Sequence, residues 1–121
     1  MAKKDSVEVA TVNLIGKGTV IKGDIVSNGD LRIDGNVSGS IQSTGKVVVG
    51  QTGIVEGEIT CQNAELEGEI KAIIAVKGLL NLKQTARFTG DITTVKLAVE
   101  PGALFTGTCK MERSIAEVKP T

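Results

Sequence analysis

The residues of this chain that could carry chemistry are glutamates, two cysteines and one glycine–lysine turn, and no histidine is present. The absence of histidine excludes Ser-His and Cys-His nucleophiles, histidine-based zinc sites and the commonest general base. Glutamates at alternate positions could still act as paired acid–base groups or bind a cation. They are Glu56, Glu58, Glu65, Glu67 and Glu69. Because each alternates with apolar or glycine positions, we interpret them as the solvated side of strands, paired with lysines or arginines of nearby turns.

A second candidate is the turn Gly16-Lys17-Gly18-Thr19, which resembles the end of a phosphate-binding loop. The full motif requires an upstream glycine and a following helix, and both are missing here. We therefore expect no nucleotide and no other cofactor.

The cysteines, Cys61 and Cys109, are separated along the chain by close to three repeats of the pattern described below. If repeats stack at about 4.8 Å, these residues lie about 14 Å apart along the axis. A disulfide needs Cα atoms within about 7 Å. We expect two free thiols at small core positions.

The composition of the 121 residues excludes several classes of partner. Fourteen basic residues balance fourteen acidic ones, so no net field attracts nucleic acid, and two phenylalanines are the only aromatic residues for base stacking. No apolar run is long enough to span a membrane, and the first residues lack the apolar core of a secretory signal. These features predict a cytoplasmic protein.

A repeat of roughly 16–18 residues organises most of the chain. Glycines recur in the phrase apolar–x–Gly–x–apolar at Gly39, Gly57, Gly90 and Gly107. A second column consists of apolar pairs that keep nearly the same spacing from one repeat to the next. The pairs are Leu31/Ile33, Val47/Val49, Ala64/Leu66, Leu80/Leu82 and Leu97/Val99. A fixed short period indicates a solenoid in which each unit packs on its neighbours.

The alternation within each repeat is that of β-strands, so the repeats predict an all-β, single-domain parallel β-helix of about six turns. We place it at residues 13–110, with flexible tails at 1–12 and 111–121. The glycine column is expected to point inward, where opposing walls approach closely. The fourth turn is ambiguous, because Gly68 repeats the glycine phrase too early and a full step from Gly57 reaches Ile74.

The ends of such a rod expose unpaired backbone groups and a slice of the core, and neither flank has clear capping potential. Another copy of the same end could cover them, so contacts at both ends would propagate into a filament. The residues predicted to form these contacts are Phe105, Leu104, Leu97, Val99, Cys109, Leu14 and Val20. Lys3, Lys4, Val7 and Val9 are candidates for a tail that contacts a membrane surface or a partner.

The ordered set of phrases resembles the bactofilins over roughly residues 14–109. The phrases are Asp-Leu-Arg-Ile-Asp-Gly-Asn-Val-Ser-Gly-Ser-Ile at 30–41, Gly-Ile-Val-Glu-Gly-Glu-Ile at 53–59 and Pro-Gly-Ala-Leu-Phe-Thr-Gly at 101–107. The resemblance implies a right-handed β-helical bacterial cytoskeletal protein that polymerises end to end without nucleotide into non-polar filaments. It also implies scaffolding of cell-shape or cell-wall enzymes, and in some members membrane attachment through the N-terminal tail.

Two other hypotheses remain open from the sequence. The chain could be a monomeric binding module that uses one flat outer face, or an enzyme or cation-binding protein that uses the glutamates of residues 56–69. A left-handed β-helix of the acyltransferase type is disfavoured, because its repeat is a multiple of six and its chemistry depends on histidine.

Overall fold

The computed structural model describes residues 12–112, and every regular element within that range is a β-strand. The ten strands are β1 (Val12–Ile15), β2 (Val20–Ser27), β3 (Asp30–Ile33), β4 (Asn36–Ser43), β5 (Lys46–Val49), β6 (Ile54–Cys61), β7 (Asn63–Leu66), β8 (Glu69–Leu82), β9 (Arg87–Val99) and β10 (Leu104–Met111). Within this range no helix is long and apolar enough to cross a membrane.

The strands form two parallel stacks that wind together as a β-helix. The short stack contains β1, β3, β5, β7 and the second parts of β8 and β9. The long stack contains β2, β4, β6, the first parts of β8 and β9, and β10. Each turn of the rod contributes one segment to each stack, which gives six turns and confirms the predicted parallel β-helix.

The core consists of ladders of like apolar side chains, because parallel stacking places equivalent inward positions above one another. The short-stack pairs follow the register expected from the sequence: Leu31 lies on Val47, then Ala64, Leu80 and Leu97 in succession. The second column is completely buried in its four middle rungs, at Ile33, Val49, Leu66 and Leu82.

The glycine column lies within the long strands, and the expectation that it points inward where opposing walls approach is wrong. Its glycines have φ between +129° and +142°, as at Gly57 with +129°, and their exposure ranges from half-buried to exposed. The close approach occurs along the rod axis: a β-carbon on Gly57 would lie 1.9 Å from the carbonyl oxygen of Gly39 in the turn below. At these glycines the neighbouring turn, and not an opposing wall, therefore occupies the space that a side chain would need.

The fourth turn resolves the ambiguity around Gly68. Ala72, and not Gly68 or Ile74, pairs with both Gly57 and Gly90 in the glycine column. Gly68 belongs to a second, buried column, where the backbone N–H of the next residue, Glu69, donates to the carbonyl of Gly53 at 3.0 Å. Gly68 copies the phrase but occupies a different corner of the rod.

Unequal corners explain why the repeat drifts. The connection from the short stack to the long stack has four residues in turns one, three, five and six (16–19, 50–53, 83–86 and 100–103). It has two residues in turns two and four (34–35 and 67–68). Inserting or removing two residues at a corner leaves the inward positions in register, since the side-chain period of a strand is two.

The predicted tails fall almost entirely outside the described residues. Regular structure reaches Val12 in β1 and Met111 in β10, one residue beyond each predicted domain bound. The candidate tail residues Lys3, Lys4, Val7 and Val9 lie outside the described range.

Candidate polymerisation interface

At the C-terminal end of the rod, no residue of the range 12–112 covers the last layer of the core. Among the described strands β10 pairs only with β9, and Phe105 stacks on Phe88 with ring centroids 5.6 Å apart and planes tilted by 32°. Phe88 is 1% exposed, whereas Phe105, one rung higher in the same column, is 36% exposed. Val99 is half exposed above the fully buried Leu82. The end therefore presents the interior of the β-helix to whatever lies above it.

The inward positions of this last layer are apolar throughout. They are Leu97, Val99, Ala103, Phe105, Cys109 and Met111. The chain also leaves one edge of the parallel ladder open here, because the residues of β10 find described partners only in β9. An apolar slice rimmed by unpaired N–H and C=O groups is suited to pairing with another strand layer.

Among the described residues, β1 and β2 form the N-terminal end, and its inward residues are smaller and less uniformly apolar. Ile15 is buried, while Ile21 and Ile25 are partly buried and pack against the core from its N-terminal side. Asn13 takes the inward position that Leu31 takes one turn later, and it is exposed.

The predicted interface residues divide into two groups. Phe105, Leu97, Val99 and Cys109 lie in inward columns of the last layer, where an end-to-end contact would bury them. The others, Leu104, Leu14 and Val20, are 60–63% exposed and stand in outward columns, in register with Arg87, Arg32 and Asn36. Their part in a contact remains a prediction, and their outward position would place them at the rim of the contact and not in its centre.

Sequence reasoning missed several inward residues of the end layers, which are Asn13, Ile15, Ile21, Ile25, Ala103 and Met111. For Ile21 and Ile25 a signal was available, because the alternation Ile21–Gly23–Ile25 copies Val37–Gly39–Ile41. The exposed Val20 beside Ile21 concealed the alternation.

The two cysteines differ, although both occupy inward columns as predicted. Cys61 is 1% exposed, and burial raises the pKa of its thiol to about 12, since a thiolate would be desolvated there. Cys109 follows Ile92 in its column but is exposed, so its assignment as a core residue is wrong. The reason is its position: it belongs to the last layer, and nothing within the described residues lies above it.

The glutamates of residues 56–69 behave as a solvated, partly ion-paired surface. Glu65 pairs with Lys46, and Glu69 lies 3.5 Å from Arg87 and 3.8 Å from Lys71. Within residues 12–112 no group of three carboxylates, cysteines or histidines is arranged to hold a metal ion. The pairs are exposed enough that each contributes little to stability.

The turn at residues 16–19 connects two strands. The amide of Thr19 donates to the carbonyl of Gly16 at 3.1 Å, and the chain then enters β2. Phosphate loops owe their affinity to a helix that follows them, and a strand takes that place here.

Comparison with known proteins identifies the family. The model of the family described as "Bactofilin: Polymer-forming cytoskeletal" matches residues 13–110. The chain belongs to the bactofilin family. It is therefore a member of a family of polymer-forming cytoskeletal proteins, and the resemblance seen in the sequence is confirmed.

Characterised bactofilins share both sequence and fold with this chain. Bactofilin BacO of Myxococcus xanthus (strain DK1622) is 34% identical over 99 residues, which cover 82% of this chain and 79% of BacO. A cryo-EM reconstruction of Thermus thermophilus bactofilin double helical filaments matches with a TM-score of 0.76 and 35% identity, over 83% of this chain and 99% of that one. The solid-state NMR structure of the cytoskeletal bactofilin BacA matches with a TM-score of 0.76 and 34% identity, over 84% and 96%. These similarities confirm the predicted fold class.

Proposed function

We propose that this bactofilin assembles end to end into non-polar filaments without nucleotide, and that the C-terminal layer around Phe105 forms one of the two end contacts. The observation that carries the proposal is the change from 1% exposure at Phe88 to 36% at Phe105 within one continuous column. The two environments differ because β10 lies above Phe88, whereas no strand of the described range lies above Phe105. A second rod placed against this end would supply that turn.

The energetics favour such a contact. Covering a half-exposed Val, Phe or Met side chain yields about 1 kcal/mol, as roughly half of the value for full burial. A contact between two identical ends counts every side chain twice, and the open strand edges add hydrogen bonds. These gains are of the size needed to offset an association cost of roughly 4–15 kcal/mol.

The strand that follows the turn at residues 16–19 supports assembly without nucleotide. Membership of a polymer-forming cytoskeletal family supports a structural, non-enzymatic role. By analogy with the relatives, whose filaments have been reconstructed, we propose that the polymer acts in the cytoplasm as a scaffold for cell-shape or cell-wall machinery. Within this proposal, Lys3, Lys4, Val7 and Val9 would attach the filament to the inner face of the membrane or to a partner.

The test compares two substitutions in adjacent residues of β10. Phe105→Glu places a carboxylate in the centre of the proposed contact, where its desolvation opposes association. Thr106→Glu places the same charge on the exposed outer column one residue away. Negative-stain electron microscopy and sedimentation, both without nucleotide, should show filaments for the native chain and for Thr106→Glu, and short soluble species for Phe105→Glu.

Unchanged filaments in Phe105→Glu would exclude this end as a contact. A native chain that sediments as a monomer at every concentration would instead support the alternative of a monomeric binding module.

A further inference from the structure

The two ends of the rod differ in one inward residue. Within residues 12–112 the first short-stack column has six rungs, of which five are apolar: Leu31, Val47, Ala64, Leu80 and Leu97. Its N-terminal rung is Asn13. The column therefore ends in an apolar residue at the C-terminal end and in an exposed amide at the N-terminal end.

Head-to-tail stacking would otherwise continue the β-helix without interruption. In the register that relates each turn to the next, β2 of one copy would lie on β10 of another, with Ile21 above Phe105 and Gly23 above Gly107. The strands would remain parallel and the core columns would stay apolar. This arrangement competes with like-with-like pairing of ends, so a selective element is needed to disfavour it.

Asn13 provides such an element. Its Nδ2 donates to Ser27 Oγ at 3.2 Å, which leaves its second N–H and its carbonyl oxygen with hydrogen-bonding capacity. In a head-to-tail stack Asn13 would be pressed onto Leu97, and that side chain offers no partner. Burying these groups unsatisfied disfavours the contact by roughly ten- to a hundred-fold.

We propose that Asn13 is a specificity-determining residue that keeps the filament non-polar by rejecting the apolar C-terminal end. The inference rests on the proposed end-to-end assembly. Against a second N-terminal end, the free amide N–H and carbonyl oxygen of one Asn13 can bond with those of the other Asn13 across the contact, whereas Ser27 Oγ is buried and already donates to Gly29 and accepts from Asn13 and the Gly29 amide. A single polar residue in an apolar seam sets register and orientation in coiled coils by the same physical means.

The experiment detects head-to-tail contacts by cross-linking. One chain carries Ile25→Cys together with Cys109→Ser. The other chain keeps the native Ile25 and Cys109, and it bears a tag that distinguishes the two chains by size. In a head-to-tail stack Ile25 faces Cys109, because Ile25 and Cys109 occupy the same column. The mixed 25–109 product therefore reports that contact alone, and the buried Cys61 does not compete for the reagent.

We expect little mixed product from the otherwise native pair, and a roughly ten- to hundred-fold increase when both chains carry Asn13→Leu. Asn13→Ser should restore the native result, because it keeps a polar group at the end. Asn36→Leu, the same change at an exposed outward position, should have no effect.

Filaments of Asn13→Leu with no more mixed product than the native pair would overturn the proposal, as would abundant mixed product from the native pair. If circular dichroism shows that Asn13→Leu does not fold, Asn13→Val replaces it, and the same comparison of mixed product with the native pair decides. A native pair that forms no filaments at all would refute the proposed function and this inference with it, and that outcome is distinguished by microscopy of the same samples.

Discussion

The glycine column makes a quantitative prediction about how tightly successive turns stack. In Gly57→Ala the new β-carbon would start 1.9 Å from the Gly39 carbonyl oxygen, and real contacts are not shorter than 3.0 Å, so the turns must separate locally by about 1.1 Å. Such a shift breaks one or two ladder hydrogen bonds, at about 1 kcal/mol each. The φ of +129° adds about 1–2 kcal/mol for any residue with a side chain. We expect Gly57→Ala to lower the free energy of unfolding by about 2–4 kcal/mol.

Gly23→Ala is the matched control, because Gly23 has the same backbone conformation and no described turn lies beneath it. Its φ is +130°, and an added β-carbon would meet no atom within 4 Å. This variant should lose only the conformational part, about 1–2 kcal/mol. The difference between the two variants isolates the contribution of stacking.

Urea unfolding followed by circular dichroism measures both changes. The measurement uses the Phe105→Glu background at protein concentrations at which sedimentation shows a monomer, so that unfolding is not coupled to assembly. Equal losses for Gly57→Ala and Gly23→Ala would show that backbone conformation alone requires glycine. That result would refute the reasoning from the close approach of Gly57 to the Gly39 carbonyl oxygen.

The burial of single columns leads to three further predictions. Phe88→Ala should lower the free energy of unfolding by about 3–5 kcal/mol. Phe105→Ala should lower the free energy of unfolding of the isolated chain much less, because Phe105 still contacts solvent. Thermal unfolding of both variants in the presence of denaturant distinguishes them. Maleimide should label Cys109 and spare Cys61 in the folded chain, and assembly should slow the labelling of Cys109. Rapid labelling of Cys109 within filaments would argue against burial of the C-terminal end. Because the folded chain raises the pKa of Cys61 from 9.0 to about 12, the stabilisation from its neutral thiol is complete below pH 9 and declines as the pH rises toward 12. Cys61→Ala should accordingly flatten the dependence of unfolding free energy on pH in that interval, and an unchanged slope would contradict the assignment.

Much of the fold could be predicted because its signals are periodic. Leu31, Val47, Leu80 and Leu97 were aligned correctly from spacing alone, and the structure pairs them through every turn. The two-residue alternation reports which side of a strand is buried, and a constant period reports that identical units stack. Phe105 could be placed in the last inward layer for the same reason.

The fourth turn could not be predicted, because local sequence does not record accumulated offsets. Gly68 carries the glycine phrase, yet Ala72 occupies the glycine column. The choice depends on a corner shortened to two residues at 67–68, which only the hydrogen bonds to the turns above and below define.

The amino-acid sequence by itself determined the strand type, the inward residues and the length of the repeat, because these depend on the chemistry and spacing of neighbouring side chains. Only the tertiary structure decided which inward residues are covered. Phe88 and Phe105 both begin the phrase Phe-Thr-Gly, and Ile92 and Cys109 hold the equivalent positions four residues later. One member of each pair is buried while the other is exposed. Burial in a stack depends on whether another turn follows, and that is a property of the whole rod and of what binds to its ends.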